Sequence, residues 1–275
     1  MPAAATRKVG DIEVTAVSDG LLQTSLDVLV GLDRADVERL AGCAWDEPIH
    51  LPVNAFLVRQ GDSLALVDTG AGATRGASLG QLAGNLQELG AAPERISHIL
   101  LTHFHSDHSN GLVDAAGHAV FPNAELIVHD KDASFWLAPA ARDDSDRLHR
   151  GRAEAQRAAA PYRDRMRTVS EGAVLPGISA VLQAGHTPGH TGWLVQSNGE
   201  RLLVWGDIVH LASVQVPRPD AALVFDVDPQ AACATRQRVF ERVAAERLCV
   251  AGAHLDFPGF GSLARDGAGY RYTTG

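Results

Sequence analysis

Thr102-His103-Phe104-His105-Ser106-Asp107-His108 packs three imidazoles and a carboxylate into the six residues from His103 to His108. Neither the 3.6-residue repeat of a helix nor the alternating faces of a strand can aim all four at one point. The segment has to be a tight loop, and the chain has to hold that loop still. It runs straight out of Ile96–Leu101, a short apolar run that reads as a strand. The fold this demands is a strand scaffold with function at the strand ends, where loops are best supported. Imidazole with carboxylate, and no thiolate, suits zinc, iron, manganese or cobalt. Twelve histidines in 275 residues make so dense a cluster a poor candidate for chance.

The rest of the chain supplies such a scaffold. Short β-rich runs alternate with helical runs from end to end, the pattern of an α/β protein. Ile12–Val17 reads as the first strand. Val53–Val58 and Leu64–Val67 flank Gln60-Gly61-Asp62 as a hairpin. Ser78–Leu89 reads as a helix, with Ser78 at the N-cap, Gln81 three residues on, and leucines at helical spacing. Further helices are expected near Lys131–Leu137, over Asp146–Ala159, and from Asp228-Pro229 to about Glu246. Strands are expected at Ala124–Val128, Val181–Ala184, Trp193–Gln196 and Leu202–Trp205, with Leu248–Ala251 as the final one.

Three further signals fall at the ends of these runs. In Gly185-His186-Thr187-Pro188-Gly189-His190-Thr191 the Gly and Pro residues make a sharp turn that aims an imidazole, and we take His190 rather than His186 as that imidazole. Asp207 follows an apolar strand, where a buried carboxylate is costly unless paired or bound to metal. His254 follows another. Asp68 leaves a strand in a glycine-rich turn. By itself it reads as a turn residue capping the loop at Gly70.

In this order, HxHxDH, then a His in a TPGHT turn, an Asp after a strand and a late His, the chain resembles the metallo-β-lactamase superfamily. The resemblance runs from about Ile12 to the C-terminus. Phe121-Pro122-Asn123-Ala124, Lys131–Trp136, Phe225–Pro229 and Phe257-Pro258-Gly259 make it similar to the methyl parathion hydrolase and N-acyl-homoserine lactonase-like branch. The resemblance implies a single-domain, four-layer αβ/βα sandwich over residues 1–275. Residues 1–47 would be an N-terminal extension covering either the site or a dimer interface. It also implies two divalent metal ions, zinc first and iron, manganese or cobalt as alternatives. His103, His105 and His190 would hold one ion; Asp107, His108 and His254 would hold the other; Asp207 would bridge them. Asp68 would support a metal-binding His from behind.

Such a centre implies a hydrolase using a metal-bridging hydroxide on a small ester, lactone or organophosphate triester, with Asp107 relaying protons beside Asp207. Phe104, Trp136, Phe135 and His210 are expected pocket walls, although Phe135 and Trp136 read equally well as core. The alternatives on the same fold are a glyoxalase II-like thioesterase and an iron-dependent dioxygenase. A nuclease is disfavoured by the net charge of −9 and the lack of a basic patch interleaved with aromatics. The three cysteines form no CxxC pair, and their odd number suits a reducing cytoplasm. No secretion signal or membrane-length apolar stretch is read. The expected partner is a small molecule, with neither nucleic acid nor membrane, and a homodimer is one arrangement the extension would serve.

Overall fold

The computed structural model describes residues 4–74 and 76–275. Its first half runs β1 (Ala4–Val9), β2 (Ile12–Thr24), the two-residue β3 (Leu29–Val30), α1 (Arg34–Ala41), β4 (Ile49–Gln60), β5 (Ser63–Val67), α2 (Leu82–Glu88), β6 (His98–Leu100), α3 (Ser106–Ser109), β7 (Glu125–His129), α4 (Asp130–Trp136), α5 (Asp146–Ala159) and β8 (Met166–Val169). The second half runs β9 (Gly172–Leu175), β10 (Ile178–Leu182), β11 (Thr191–Ser197), β12 (Glu200–Val204), α6 (Ala212–Gln215), β13 (Ala222–Leu223), α7 (Pro229–Glu246), β14 (Cys249–Ala251), β15 (Phe260–Asp266) and β16 (Gly269–Thr274). Two seven-stranded sheets result, ordered β1-β2-β4-β5-β6-β7-β8 and β16-β15-β14-β12-β11-β10-β9.

Strand alternation explains why these sheets stack. Val14, Ala16, Phe56, Val58, Ala65 and Val67 of the first sheet meet Trp193, Val195, Leu202 and Val204 of the second in one buried core. The intervening residues point the other way. Ala55, Leu57, Leu64 and Leu66 pack under α2, α4 and α5. Leu203 packs with Val239, Phe240 and Val243 of α7. The layers are therefore helix, sheet, sheet, helix: the αβ/βα sandwich. Among the described residues no helix is long and apolar enough to cross a membrane.

Several boundaries differ from the sequence reading. The second helix begins at Leu82, not Ser78. Gly80 adopts φ +82°, which breaks the helix before it starts. Its N-terminal amides are capped from a distance: the buried Asp19 carboxylate accepts from Gly80, Leu82 and Ala71. β14 is not the last strand, because β15 and β16 extend the second sheet beyond it. Residues 4–47 are built into the fold. β1 and β2 form one side of the first sheet, while Leu26, Val28, Leu29 and Val37 pack on Val214, Ala221 and Leu223, where β3 pairs with β13.

Candidate metal centre

Both sheets deliver side chains to one place. From the first sheet, Asp68 follows β5, the His103–His108 loop follows β6, and Asp132 lies in α4 just past β7. From the second, His186 follows β10, Asp207 follows β12 and His254 follows β14. All of these except Asp107 and His105 are buried to within a few per cent. His103, His105, His186 and Asp207 form one group whose ligand-type atoms lie within 4.8 Å of one another, and Asp107, His108 and His254 form a second.

Asp207 stands between the groups. Its Oδ2 faces His103 Nε2 at 3.6 Å and His186 Nε2 at 3.2 Å. Its Oδ1 faces His108 Nε2 at 3.1 Å and His254 Nε2 at 3.3 Å. Asp107 Oδ2 lies 3.5 Å from His254 Nε2 and 3.7 Å from His108 Nε2. Nδ1 of His105 and Nε2 of His186 are 2.9 Å apart. Yet Nε2 of His103, His108 and His254, and Oδ1 of Asp207, are buried with no hydrogen-bond partner among the described residues. Leaving even one such group unpaired costs about 1–3 kcal/mol. Four of them converging, close but not aligned as hydrogen bonds, fit cations held between them, and the nitrogen–oxygen donor set suits a divalent transition metal.

The far side of four of the five imidazoles is fixed, as ligand imidazoles require, while His105 meets only His186. His108 Nδ1 donates to Asp68 at 2.8 Å. Asp68 also accepts from the Thr102 amide and hydroxyl, and His103 Nδ1 donates in turn to the Thr102 hydroxyl at 3.0 Å. One carboxylate therefore orients two imidazoles, and it does so from φ +61°, a strained setting for a non-glycine residue. His254 Nδ1 donates to the Pro52 carbonyl, and His186 Nδ1 donates to Asp226 at 2.8 Å. Burial by itself would lower the His186 pKa, but Asp207 and Asp226 override it and lift the imidazole to about 9.

His190 takes no part in either group. Its Nδ1 donates to the Gln183 carbonyl at 3.2 Å, and its Nε2 accepts the Asp207 amide at 3.0 Å. Both ring nitrogens are spent on backbone, and burial pushes its pKa down to about 3, in keeping with a neutral acceptor. Gly206 allows this approach: a Cβ there would lie 2.6 Å from His190 Nε2. His190 thus positions Asp207, and His186, four residues earlier in the same turn, occupies the place the sequence reading gave it. Asp226 and Asp132 were also missed. The Asp132 carboxylate accepts from Phe104 N, Gly189 N and the Thr187 hydroxyl, tying the His103–His108 loop to the His186 turn. Asp226 lies within a stretch singled out for family likeness alone. Asp132 lay within another and carried no further mark.

A cavity of about 440 Å³ opens onto the centre, and Phe104, Trp136 and His210 line it with Leu22, Leu51, Phe225 and Val227. Phe135 does not line it; its ring lies under the Arg152 guanidinium at 4.5 Å. His210 Nε2 lies 2.9 Å from Asp207 Oδ2, and burial lowers its pKa to about 4.

Sandwich and clusters together define a metal-binding protein of the αβ/βα class. The profile of the metallo-beta-lactamase superfamily matches residues 49–254, and the chain belongs to that superfamily. It is similar over 100% of its length to the crystal structure of the hydrolase AbOPH, with 33% identity, 98% of that chain covered and a TM-score of 0.93. AidC, a dizinc quorum-quenching lactonase solved in complex with a product N-hexanoyl-L-homoserine, is 25% identical, with 99% of this chain and 97% of that one covered and a TM-score of 0.92. The uncharacterized protein YobT of Bacillus subtilis is 28% identical over 167 residues, 60% of this chain and 65% of its own length. The chain is thus homologous to metal-dependent hydrolases, lactonases among them.

Proposed function

We propose that this protein is a binuclear metal-dependent hydrolase acting on a small ester, lactone or organophosphate triester. The observation that carries the reading is the division of the Asp207 carboxylate, one oxygen facing each histidine group. His103, His105 and His186 would hold one cation, Asp107, His108 and His254 the other, and Asp207 both, with zinc the first choice for this donor set. Two divalent cations held there would supply a water acidified to a pKa of about 7 as nucleophile and would polarise the oxygen of the scissile group.

The chain's own residues do the rest. Phe104, Leu22, Leu51, Phe225 and Val227 exclude water around the acyl or aryl part of the substrate. Asp107 is the more open of the two cluster carboxylates, its side chain 16% exposed against 3% for Asp207. It lines the cavity and is placed to take a proton from the attacking water and return it to the leaving oxygen.

The test is a panel of aryl ester, homoserine lactone, thioester and phosphotriester substrates on metal-quantified protein, beside Asp207→Ala. Two equivalents of metal, with turnover of an ester, lactone or triester that Asp207→Ala abolishes, is the expected result. A metal-replete protein inert toward all three, or an Asp207→Ala variant of full activity, rejects the reading.

A further inference from the structure

One wall of the cavity remains unexplained by hydrolysis alone. Arg147, Arg150, Gly151 and Glu154 of α5, at i, i+3, i+4 and i+7, line the same cavity as Asp107 and Asp207. The other face of α5 fixes it in place. Ala155, Ala158 and Ala159 are buried in the core, and Arg152 is held by Asp144 at 2.7 Å. Gly151 lets the helix come close: a Cβ there would meet the Trp136 ring at 2.7 Å. A rigid helix brought this near sets Arg147 and Arg150 at the cavity's edge.

Arg147 and Arg150 are exposed, and among the described residues neither has an ion-pair or hydrogen-bond partner. They are unpaired cations on a chain of net charge −9. Arg147 sits in the first turn of α5, where the helix dipole is positive; Asp146 in the same turn opposes it but does not line the cavity. Buried Asp207 marks the inner end of the cavity and the exposed arginines its outer edge, with apolar walls as lining. Glu154 sets a carboxylate one turn beyond Arg150, which leaves the Arg147 end as the place for an anion.

Resting on the hydrolase reading, we propose that the substrate is an ester or lactone with a carboxylate remote from its scissile bond, gripped by Arg147 and Arg150. The guanidinium fork matches a carboxylate in two-point geometry. The apolar walls take the carbon chain between the two ends.

The experiment compares two aryl esters of equal length on the metal-loaded enzyme: the neutral p-nitrophenyl hexanoate and the mono-p-nitrophenyl ester of adipic acid. Two exposed guanidinium–carboxylate contacts predict about a tenfold higher kcat/KM for the anionic ester at low salt, falling as salt screens the pair. Arg147→Ala/Arg150→Ala should bring the ratio of anionic to neutral ester to about one, whatever it does to the neutral ester itself, and Glu154→Gln should raise it. A wild-type ratio of one or less, or a ratio the double variant keeps, overturns the proposal; a neutral chain lying along the arginine stems would give that result. If neither ester turns over, the hydrolase reading is what suffers, and calorimetry of adipate against hexanoate still decides the arginine grip. Tighter adipate binding that the double variant loses supports it, and equal binding refutes it.

Discussion

The His103–His108 loop and the His186–His190 turn are both histidine-rich, and both follow a strand into the same centre. They use their imidazoles differently. In the loop, His103, His105 and His108 all belong to a metal-type group. In the turn only His186 does, while His190 faces backbone at both nitrogens. The difference lies in what stands behind each ring. An imidazole with one nitrogen anchored, to Asp68, to Thr102 or to Asp226, keeps the other free for a cation. An imidazole with both nitrogens engaged is a brace.

The hardest test of that contrast is to remove each histidine of the turn in separate variants. His186→Ala should lose bound metal from one group, an effect beyond the ten- to hundredfold weakening that follows loss of an outer partner. Activity should fall with it. His190→Ala should retain two equivalents of metal but lose stability, since the Asp207 amide is left without an acceptor in a buried place, about 1–3 kcal/mol. Metal content by mass spectrometry and denaturant midpoints separate the outcomes. Equal metal loss in the two variants would erase the distinction drawn between ligand and brace.

A smaller change sharpens the same point. Asp226→Asn leaves His186 in place and weakens only the group behind it, at 2.8 Å from Nδ1. Metal affinity should drop about ten- to hundredfold, read by competition with a chelator of known strength, with little change in fold. An unchanged affinity would mean that the turn fixes His186 by its backbone alone.

The contrast also explains what could be read from sequence. The cluster was legible because no single regular element can aim all four side chains at one point, although the structure divides it between a loop (His103–His105) and the short α3, which carries Asp107 and His108, rather than one loop throughout; Asp207 and His254 were legible because each follows an apolar strand. The α/β class followed from the strand and helix rhythm, and the sandwich from the family resemblance that the motifs carry. The choice within the turn was not legible. Spacing says that an imidazole is aimed, but the partners that decide which one, Gln183, Asp226 and the Asp207 amide, arrive from other segments. The cap on α2 escaped for the same reason: its acceptor, Asp19, lies 63 residues before Leu82. Likewise β15 and β16 lie beyond the last motif and carry little apolar signal, with several exposed positions between their buried ones.

The loop has a further support that the turn lacks, and its removal gives the smallest expected effect. Past α3 the chain reaches Leu112, whose carbonyl accepts the Tyr162 hydroxyl at 2.8 Å, and that oxygen in turn accepts the Phe121 amide at 3.1 Å. Tyr162→Phe should leave metal content intact and cost about 1–2 kcal/mol for the two lost bonds. The change should also show in alkali. Burial raises the Tyr162 hydroxyl to about 12, against about 10 in an unfolded chain. The folded protein therefore binds the proton more tightly, so this contribution is complete below pH ~10 and is lost as pH rises through about 12. Over that window the wild-type stability should fall more steeply with pH than that of Tyr162→Phe. Parallel curves would place the phenol in water rather than behind the loop, and the loop would then owe its rigidity to Asp68 and Asp132 alone.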